Sequence, residues 1–218
     1  NISKAKARVT LKPDGTALVE TDMTDIGTGT YTILGQLAGE MLGLPRDKVL
    51  VELGDTRFPR GSGSGGSWGA SSVGSAVYVA CQGLRRELAS RAGVNEDDVS
   101  LKDGRIANGP SLIDLLDGKD LSEEGFYEPG DIDDDFVAAG FGAYFAQVRV
   151  NRFTGETRVD RMTGAFGFGR VLNEKTARSQ CQGGMVWSIG VALTEALHFD
   201  PQDGHLVNCD LAEYHVPV

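Results

Sequence analysis

The stretch GSGSGGSWGASS, residues 61–72, combines glycine with hydroxyl side chains and leads directly into a periodic apolar segment. A helix start of this kind exposes backbone N–H groups without intrahelical partners, and with the helix dipole they favour a bound anion. GTGT at 27–30 and LNEKTARSQ at 172–180 open periodic segments in the same way. Each start alone is typical of an ordinary helix cap, but the three together predict one large ligand that carries phosphate groups.

Two other kinds of chemistry fit the first stretch. Gly61, Gly63 and Gly66 match the G-x-G-x-x-G fingerprint of dinucleotide-binding folds, but that fingerprint must lie in the tight turn between a strand and its helix, and here GDTRFPR (54–60) intervenes. Gly65-Gly66-Ser67-Trp68-Gly69 matches the G-x-S-x-G loop of serine hydrolases, with three histidines further along the chain. The hydrolase stays open as the alternative. A flexible linker is excluded, because it would not lead into a strongly periodic helix.

Apolar periodicity predicts two similar halves that position these loops. The first half reads as a hairpin around PDGT, a helix that ends at Gly43, a strand at 48–53 and a longer helix. The second half reads as a hairpin at 146–159, a G-x-G segment and a helix, with late strands expected at 205–218. Because hairpin, G-x-G and helix recur in the same order, we predict an α+β fold of two-layer lobes with mixed sheets and an internal duplication.

The predicted organisation has three parts. Residues 1–100 form the first repeat and residues 138–218 the second. Between them, 101–137 is expected to be a polar, acidic connection, since the stretch from Glu123 to Asp135 holds seven acids and no base.

Composition excludes several classes of partner. The net charge of −10 disfavours nucleic acid, whose phosphates are bound by Lys and Arg. No apolar run is long enough to span a bilayer, so no membrane partner is expected. Cys81, Cys181 and Cys209 include no C-x-x-C pair, so neither a zinc site nor a disulfide framework is predicted.

Four longer motifs carry a resemblance to a known family. The chain is similar to the molybdenum-cofactor-binding subunit of the xanthine dehydrogenase and aldehyde oxidase family, in its bacterial aldehyde oxidoreductase branch. The motifs are TDMTDIGTGTYTILGQLAGEMLGLP (21–45), GDTRFPRGSGSGGSWGASSVGSAVYVAC (54–81), GRVLNEKTARSQCQGGMVWSIG (169–190) and DLAEYHVP (210–217). The resemblance implies the two-layer cofactor-binding fold of that family, and a molybdopterin cofactor in its cytosine dinucleotide form with molybdenum.

The resemblance also implies which residues contact this cofactor. Three segments match: a Gly-x-Gly segment at the pterin, the loop around the pyranopterin and its phosphate, and the helix start at the remaining phosphates. Their residues are Gly27, Thr28, Gly29, then Gly66, Ser67, Trp68, Gly69, Ala70, then Lys175, Thr176, Ala177, Arg178, Ser179 and Gln180. Thr28 stands where xanthine dehydrogenases have a glutamine, and Gln180 matches a pterin-contacting glutamine.

The implied activity is oxidation of an aldehyde, or of an aromatic heterocycle, with oxygen taken from water. Electrons are expected to pass to an iron–sulfur subunit and an FAD subunit, because three scattered cysteines cannot hold a two-iron cluster. The family's general-base glutamate is expected beyond Val218, so no catalytic residue is assigned within the chain. We therefore expect a fragment that requires the remainder of its own subunit and is inactive alone. Relatives of this kind occur in the bacterial cytoplasm and in the periplasm.

Overall fold

The computed structural model describes residues 3–130, 137 and 139–217, and it divides into two compact units, Asn1–Phe136 and Val137–Val218. We call these unit 1 and unit 2. Each contains an antiparallel hairpin followed by a helix, which is the order predicted from the sequence. The predicted α+β class with a repeated arrangement is confirmed.

Unit 1 is a four-stranded sheet with two helices on one face. Its elements in chain order are β1 (Ala5–Leu11), β2 (Ala17–Thr21), α1 (Thr30–Leu42), β3 (Val49–Leu53), α2 (Gly69–Ala92), β4 (Leu101–Lys102), β5 (Arg105–Ile106), α3 (Leu112–Leu116) and β6 (Leu121–Tyr127). The strand order is β3-β2-β1-β6, in which β2 and β3 are parallel and the other neighbours are antiparallel.

Local signals determine where these elements begin and end. Gly15 adopts a positive φ of 81° in the turn between β1 and β2, which glycine tolerates without steric cost. Gly43 ends α1 in the left-handed conformation, and its N–H donates to Gly39 O. Among the helices of the described residues, none is long and apolar enough to cross a membrane.

The core of unit 1 lies between the sheet and the two helices. Alternate residues of the strands, including Val9 and Val19, are fully buried against Leu34 of α1 and Leu84 of α2. The opposite face of the sheet carries cross-strand ion pairs instead, such as Arg8 with Glu20 at 3.5 Å. The sheet is therefore half-buried, as its alternating pattern requires.

The predicted polar connection at 101–137 is wrong over most of its length. Residues Leu101–Tyr127 form β4, β5, α3 and β6 within unit 1, and β6 pairs along all of β1. Glu124 of β6 faces outward and pairs with Lys6 at 3.3 Å, whereas Glu123 is half-buried against Gly83 of α2. The inward positions of β6 include Gly125, so the strand lacks the apolar alternation by which strands are recognised. Residues 131–136 lie outside the described residues.

Gly125 lets α2 approach β6 closely. A Cβ at this position would lie 2.0 Å from Ala76 O and 2.5 Å from Ala80 N, both backbone atoms of α2. Neither atom can move without displacing the helix. The absence of a side chain at Gly125 therefore sets the distance between α2 and the sheet.

Unit 2 has two long strands and one long helix, namely β7 (Phe141–Val150), β8 (Thr157–Gly167) and α4 (Glu174–Leu193). The strands expected at 205–218 are not present: the described residues there form turns, with an isolated bridge between Phe199 and Leu206. Asn208 is buried and holds these turns together with its side chain, which accepts a hydrogen bond from His198 N and donates one to Ala196 O. A side chain satisfies the backbone groups that a strand would have satisfied by pairing.

We predict that Gly125→Ala lowers the free energy of unfolding of the chain by about 2 kcal/mol, because overpacking against backbone forces the helix away from the sheet. Gly130→Ala is the matched control, since a Cβ there meets no atom within 4 Å. Chemical denaturation followed by circular dichroism measures both. Equal stability of the two variants would contradict the proposed packing role of Gly125.

Candidate functional site

Two glycine-rich loops leave the sheet of unit 1 at the same edge. Because β2 and β3 are parallel, with Thr21 paired to Leu53, their carboxyl ends lie side by side. Residues 22–29 then lead into α1, and residues 54–68 lead into α2. Ligands of α/β proteins bind outside the carboxyl ends of the strands, so this edge is the candidate site.

The two loops contact each other directly. The Thr24 and Ser64 hydroxyl oxygens are 2.8 Å apart, and Asp22 N donates to Pro59 O at 2.9 Å. The Asp22 carboxylate in turn accepts from Gly61 N. The structure therefore brings the segments 27–29 and 66–70 to one edge of one sheet, as a ligand shared by both loops requires.

Trp68 folds back on its own loop. Its indole Nε1 donates to Gly63 O at 3.3 Å, and a Cβ at Gly66 would lie 2.6 Å from the indole ring. Gly66 and Ser67 both have positive φ, at 52° and 57°. The indole thus stabilises a tightly curved loop immediately before α2.

The start of α2 offers unpaired backbone donors. Its N-cap residue, Trp68, makes no side-chain cap hydrogen bond. Within the part of the chain that the structure describes, no acceptor is hydrogen-bonded to the N–H groups of Gly69, Ala70 or Ser71. Three such groups at the N-terminus of a long helix favour an anion with several acceptor oxygens.

The start of α1 is different, because a carboxylate of the chain itself lies where the sequence predicts a bound anion. The Asp25 carboxylate already accepts from Gly27 N at 2.9 Å, Gly29 N at 3.3 Å and Tyr31 N at 3.3 Å. Partial burial raises the pKa of Asp25, but four backbone N–H groups between residues 27 and 31 lower it further, so the pKa lies below its usual value. The anion at this helix start belongs to the chain itself.

The third predicted helix start lies in unit 2. The Asn173 side chain caps α4 by accepting from Thr176 N at 3.0 Å, and Ala177 N donates to Asn173 O. Arg178, Ser179 and Gln180 follow in the second turn, so their N–H groups lie inside the helix and only their exposed side chains can reach a ligand. Lys175 stands in the first turn, next to Glu174.

Sequence reasoning missed both carboxylates of the site. Asp22 and Asp25 hold the backbone of the two loops through hydrogen bonds, although neither belongs to the predicted set. For Asp25 a signal was available, because an aspartate two residues before a glycine at a helix start is typical of an Asx turn. No local signal indicates Asp22, whose acceptor role depends on the loop 59–61 from further along the chain.

The alternative chemistries lack the required geometry. β3 ends at Leu53 and α2 begins at Gly69, so no strand leads directly into Ser67 as a hydrolase nucleophile turn requires. The same long loop separates the dinucleotide fingerprint from its strand. We find no support for the serine hydrolase.

Comparisons with known proteins agree with the geometry. The sequence model of the molybdopterin cofactor-binding domain family matches residues 1–218. The aldehyde oxidoreductase molybdenum-binding subunit PaoC of Escherichia coli O157:H7 is 47% identical over 220 residues, which cover 100% of this chain and 30% of PaoC. The probable hypoxanthine oxidase XdhD of Escherichia coli K12 is 30% identical, over 100% of this chain and 24% of XdhD. The chain thus spans less than a third of the length of these relatives.

Solved structures support the fold. Quinoline 2-oxidoreductase from Pseudomonas putida 86 superposes with a TM-score of 0.82 at 24% identity, over 100% of this chain and 30% of that protein. The aldehyde oxidoreductase from Desulfovibrio desulfuricans ATCC 27774 superposes with a TM-score of 0.73 at 20% identity, over 98% and 23%. The resemblance drawn from the sequence motifs is confirmed, and the chain belongs to the molybdopterin cofactor-binding domain family.

Proposed function

We propose that this chain is the cofactor-holding part of a molybdenum hydroxylase subunit that oxidises aldehydes or aromatic heterocycles. The observation that carries the proposal is the start of α2. Unpaired backbone N–H groups lie there, and the loop before α2 contacts the glycine-rich loop before α1. The chain belongs to the molybdopterin cofactor-binding domain family. The 47% identity to an aldehyde oxidoreductase subunit favours an aldehyde as substrate.

The residues present fit a large ligand with a phosphate group. The N–H groups of Gly69, Ala70 and Ser71 suit phosphate oxygens, which accept several hydrogen bonds at once. At Gly27 a Cβ would meet nothing within 4 Å, so the backbone of this loop faces open space that a ligand can enter.

We assign the chain's residues to binding and orientation. Gly66, Ser67, Trp68, Gly69 and Ala70 would hold a phosphate and the adjoining pterin, while Gly27, Thr28 and Gly29 would contact a neutral edge of the pterin. In unit 2, the exposed side chains at Lys175–Gln180 would contribute two cations and the Gln180 amide. When bound, the molybdenum cofactor supplies the oxidation chemistry, with water as the source of oxygen.

The chain's own carboxylates at the two loops do not act as the general base in this proposal. Asp22 and Asp25 are both engaged by backbone N–H groups, and the pKa of Asp25 is lowered. A carboxylate whose pKa is lowered, as that of Asp25 is, is a weak proton acceptor. This observation supports the proposal that the general base lies outside the chain.

The proposal extends to the cytosine dinucleotide form of the cofactor and to separate iron–sulfur and FAD subunits. A relative that is called a molybdenum-binding subunit belongs, by its name, to a multi-subunit enzyme.

Unit 2 also exposes large apolar side chains, with Phe141 at 80%, Phe145 at 69% and Trp187 at 69% exposed. Apolar surface of this extent favours cover by the remainder of the same subunit.

The full-length protein that contains this chain should hold stoichiometric molybdenum and release a cytosine nucleotide on acid hydrolysis. Metal analysis and nucleotide chromatography of the purified complex measure both. Reduction of a dye in the presence of an aldehyde tests the reaction. A complex without molybdenum would refute the proposed function, whereas a different released nucleotide would refute only the cofactor form.

Gly66→Ala in the full-length protein should lower the molybdenum content several-fold, because its Cβ would displace the Trp68 indole and reshape the loop. Gly63→Ala is the matched control: it has a similar positive φ of 73°, with about 1–2 kcal/mol of conformational cost, but its Cβ meets no neighbour. Equal molybdenum contents in the two variants would refute a role for the Trp68 contact in holding the cofactor.

Gln180→Ala should weaken cofactor retention about fivefold, since one lost hydrogen bond contributes about 1 kcal/mol. The melting temperature should stay unchanged because the side chain is exposed. Gln202→Ala is the control, as Gln202 is also exposed in unit 2 but lies in a turn outside the predicted contacts. The rate of cofactor loss on dialysis reports retention, and identical rates in both variants would exclude a pterin contact at Gln180.

A further inference from the structure

The Asp25 carboxylate caps the start of α1. It accepts three backbone N–H bonds, from Gly27, Gly29 and Tyr31, across one turn of chain. These are the groups that would otherwise point at a ligand anion. The lowered pKa keeps the carboxylate charged at neutral pH, so its negative charge stays at this helix start.

The two helix starts at the candidate site are therefore electrostatically opposite. At α1 the carboxylate offsets the partial positive charge of the helix dipole, whereas at α2 the N–H groups of residues 69–71 have no partner among the described residues. The loops still meet, because Thr24 contacts Ser64 and Met23 lies against Gly69. A ligand that touches both loops thus meets one start that repels an anion and one that attracts it.

We propose that Asp25 is a positioning residue that sets the orientation of the cofactor at this site. Its carboxylate excludes phosphate from α1 and leaves the Thr28 hydroxyl and the loop carbonyls to contact a neutral, hydrogen-bonding edge. The phosphate is thereby directed to α2. The inference rests on the proposed function for the identity of the ligand, but the exclusion of an anion from α1 is a property of the chain itself.

A purely structural cap would stabilise the turn without steering an anion. Asp14 provides the comparison, since its carboxylate accepts from Thr16 N at 3.0 Å in the turn between β1 and β2, and its pKa is also lowered. Asp14 therefore shares the chemistry of Asp25 without its position at the start of a long helix beside a second loop. Asp14→Ala is the matched control.

The test is a titration of the 218-residue chain with inorganic pyrophosphate, followed by the amide resonances of Gly27, Gly29 and Tyr31. In the wild type we expect these three resonances not to respond, and any response to appear at residues 69–71. Asp25→Ala should bind pyrophosphate at the start of α1 about fivefold or more tightly than the wild type, with new shifts at all three amides. Asp14→Ala should behave as the wild type.

Asp25→Asn serves as a second variant, because it keeps the shape of the side chain while removing its charge. It should also gain a response to pyrophosphate at the three amides. Wild-type amides that respond as strongly as those of both variants would overturn the proposal, and so would variants that gain no response.

Cofactor retention in the full-length protein provides a separate measurement. Asp25→Asn should retain molybdenum about tenfold less well than Asp14→Asn, since without the charge at the start of α1 the phosphate is no longer directed to α2 alone. Equal retention in these two variants overturns the positioning role. Absence of molybdenum from the wild type would instead refute the proposed function, and the pyrophosphate titration would still decide whether Asp25 excludes an anion.

Discussion

The parallel pairing of β2 with β3 is the constraint on which the arrangement of unit 1 depends. Parallel strands need a crossover connection, and here α1 provides it. Both strands then end at the same edge, so the loops that follow them must start next to each other. Loop contacts such as Thr24 with Ser64 are a consequence of this pairing. Had β3 paired antiparallel to β2, the two loops would lie at opposite edges of the sheet.

The position of α2 depends in turn on close packing against β6. Gly125 allows the backbone of α2 to lie against the strand, and Gly83 of α2 lies over the Glu123 side chain. A helix held against the sheet at this distance has a defined axis, and its unpaired N–H groups therefore have a defined direction. In this way a glycine far from the loops contributes to the geometry of the candidate site. Rigid elements of this kind hold binding groups more accurately than loops alone.

Charge distinguishes the two helix starts at the site, although both begin with glycine and hydroxyl residues. Asp25 supplies an internal anion to one of them, while the other begins after Trp68 with no side-chain cap. In unit 2, side chains rather than strands organise the chain after α4: Tyr214 donates its hydroxyl to the Glu195 carboxylate at 2.7 Å, and Thr194 donates to His215 O. The hydrogen bond with Glu195 raises the pKa of Tyr214. Polar side chains thus replace regular pairing in the part of the unit that has no sheet.

The sequence by itself determined the hairpins, the main helices, the end of α1 at Gly43 and the family. These features depend on local periodicity, turn residues and long motifs, which can be read without knowing the neighbours of a residue. Only the tertiary structure decided that β6 joins the first sheet, that residues 205–217 form turns, and that Asp22 accepts a hydrogen bond from Gly61 N. Because an inward position of β6 is a glycine, the strand does not show the apolar alternation by which strands are recognised. Which acceptor bonds to a given backbone donor depends on how distant segments of the chain come together. Hydrogen-bond partners and strand neighbours are therefore properties of the folded chain, whereas periodicity is already present in the sequence.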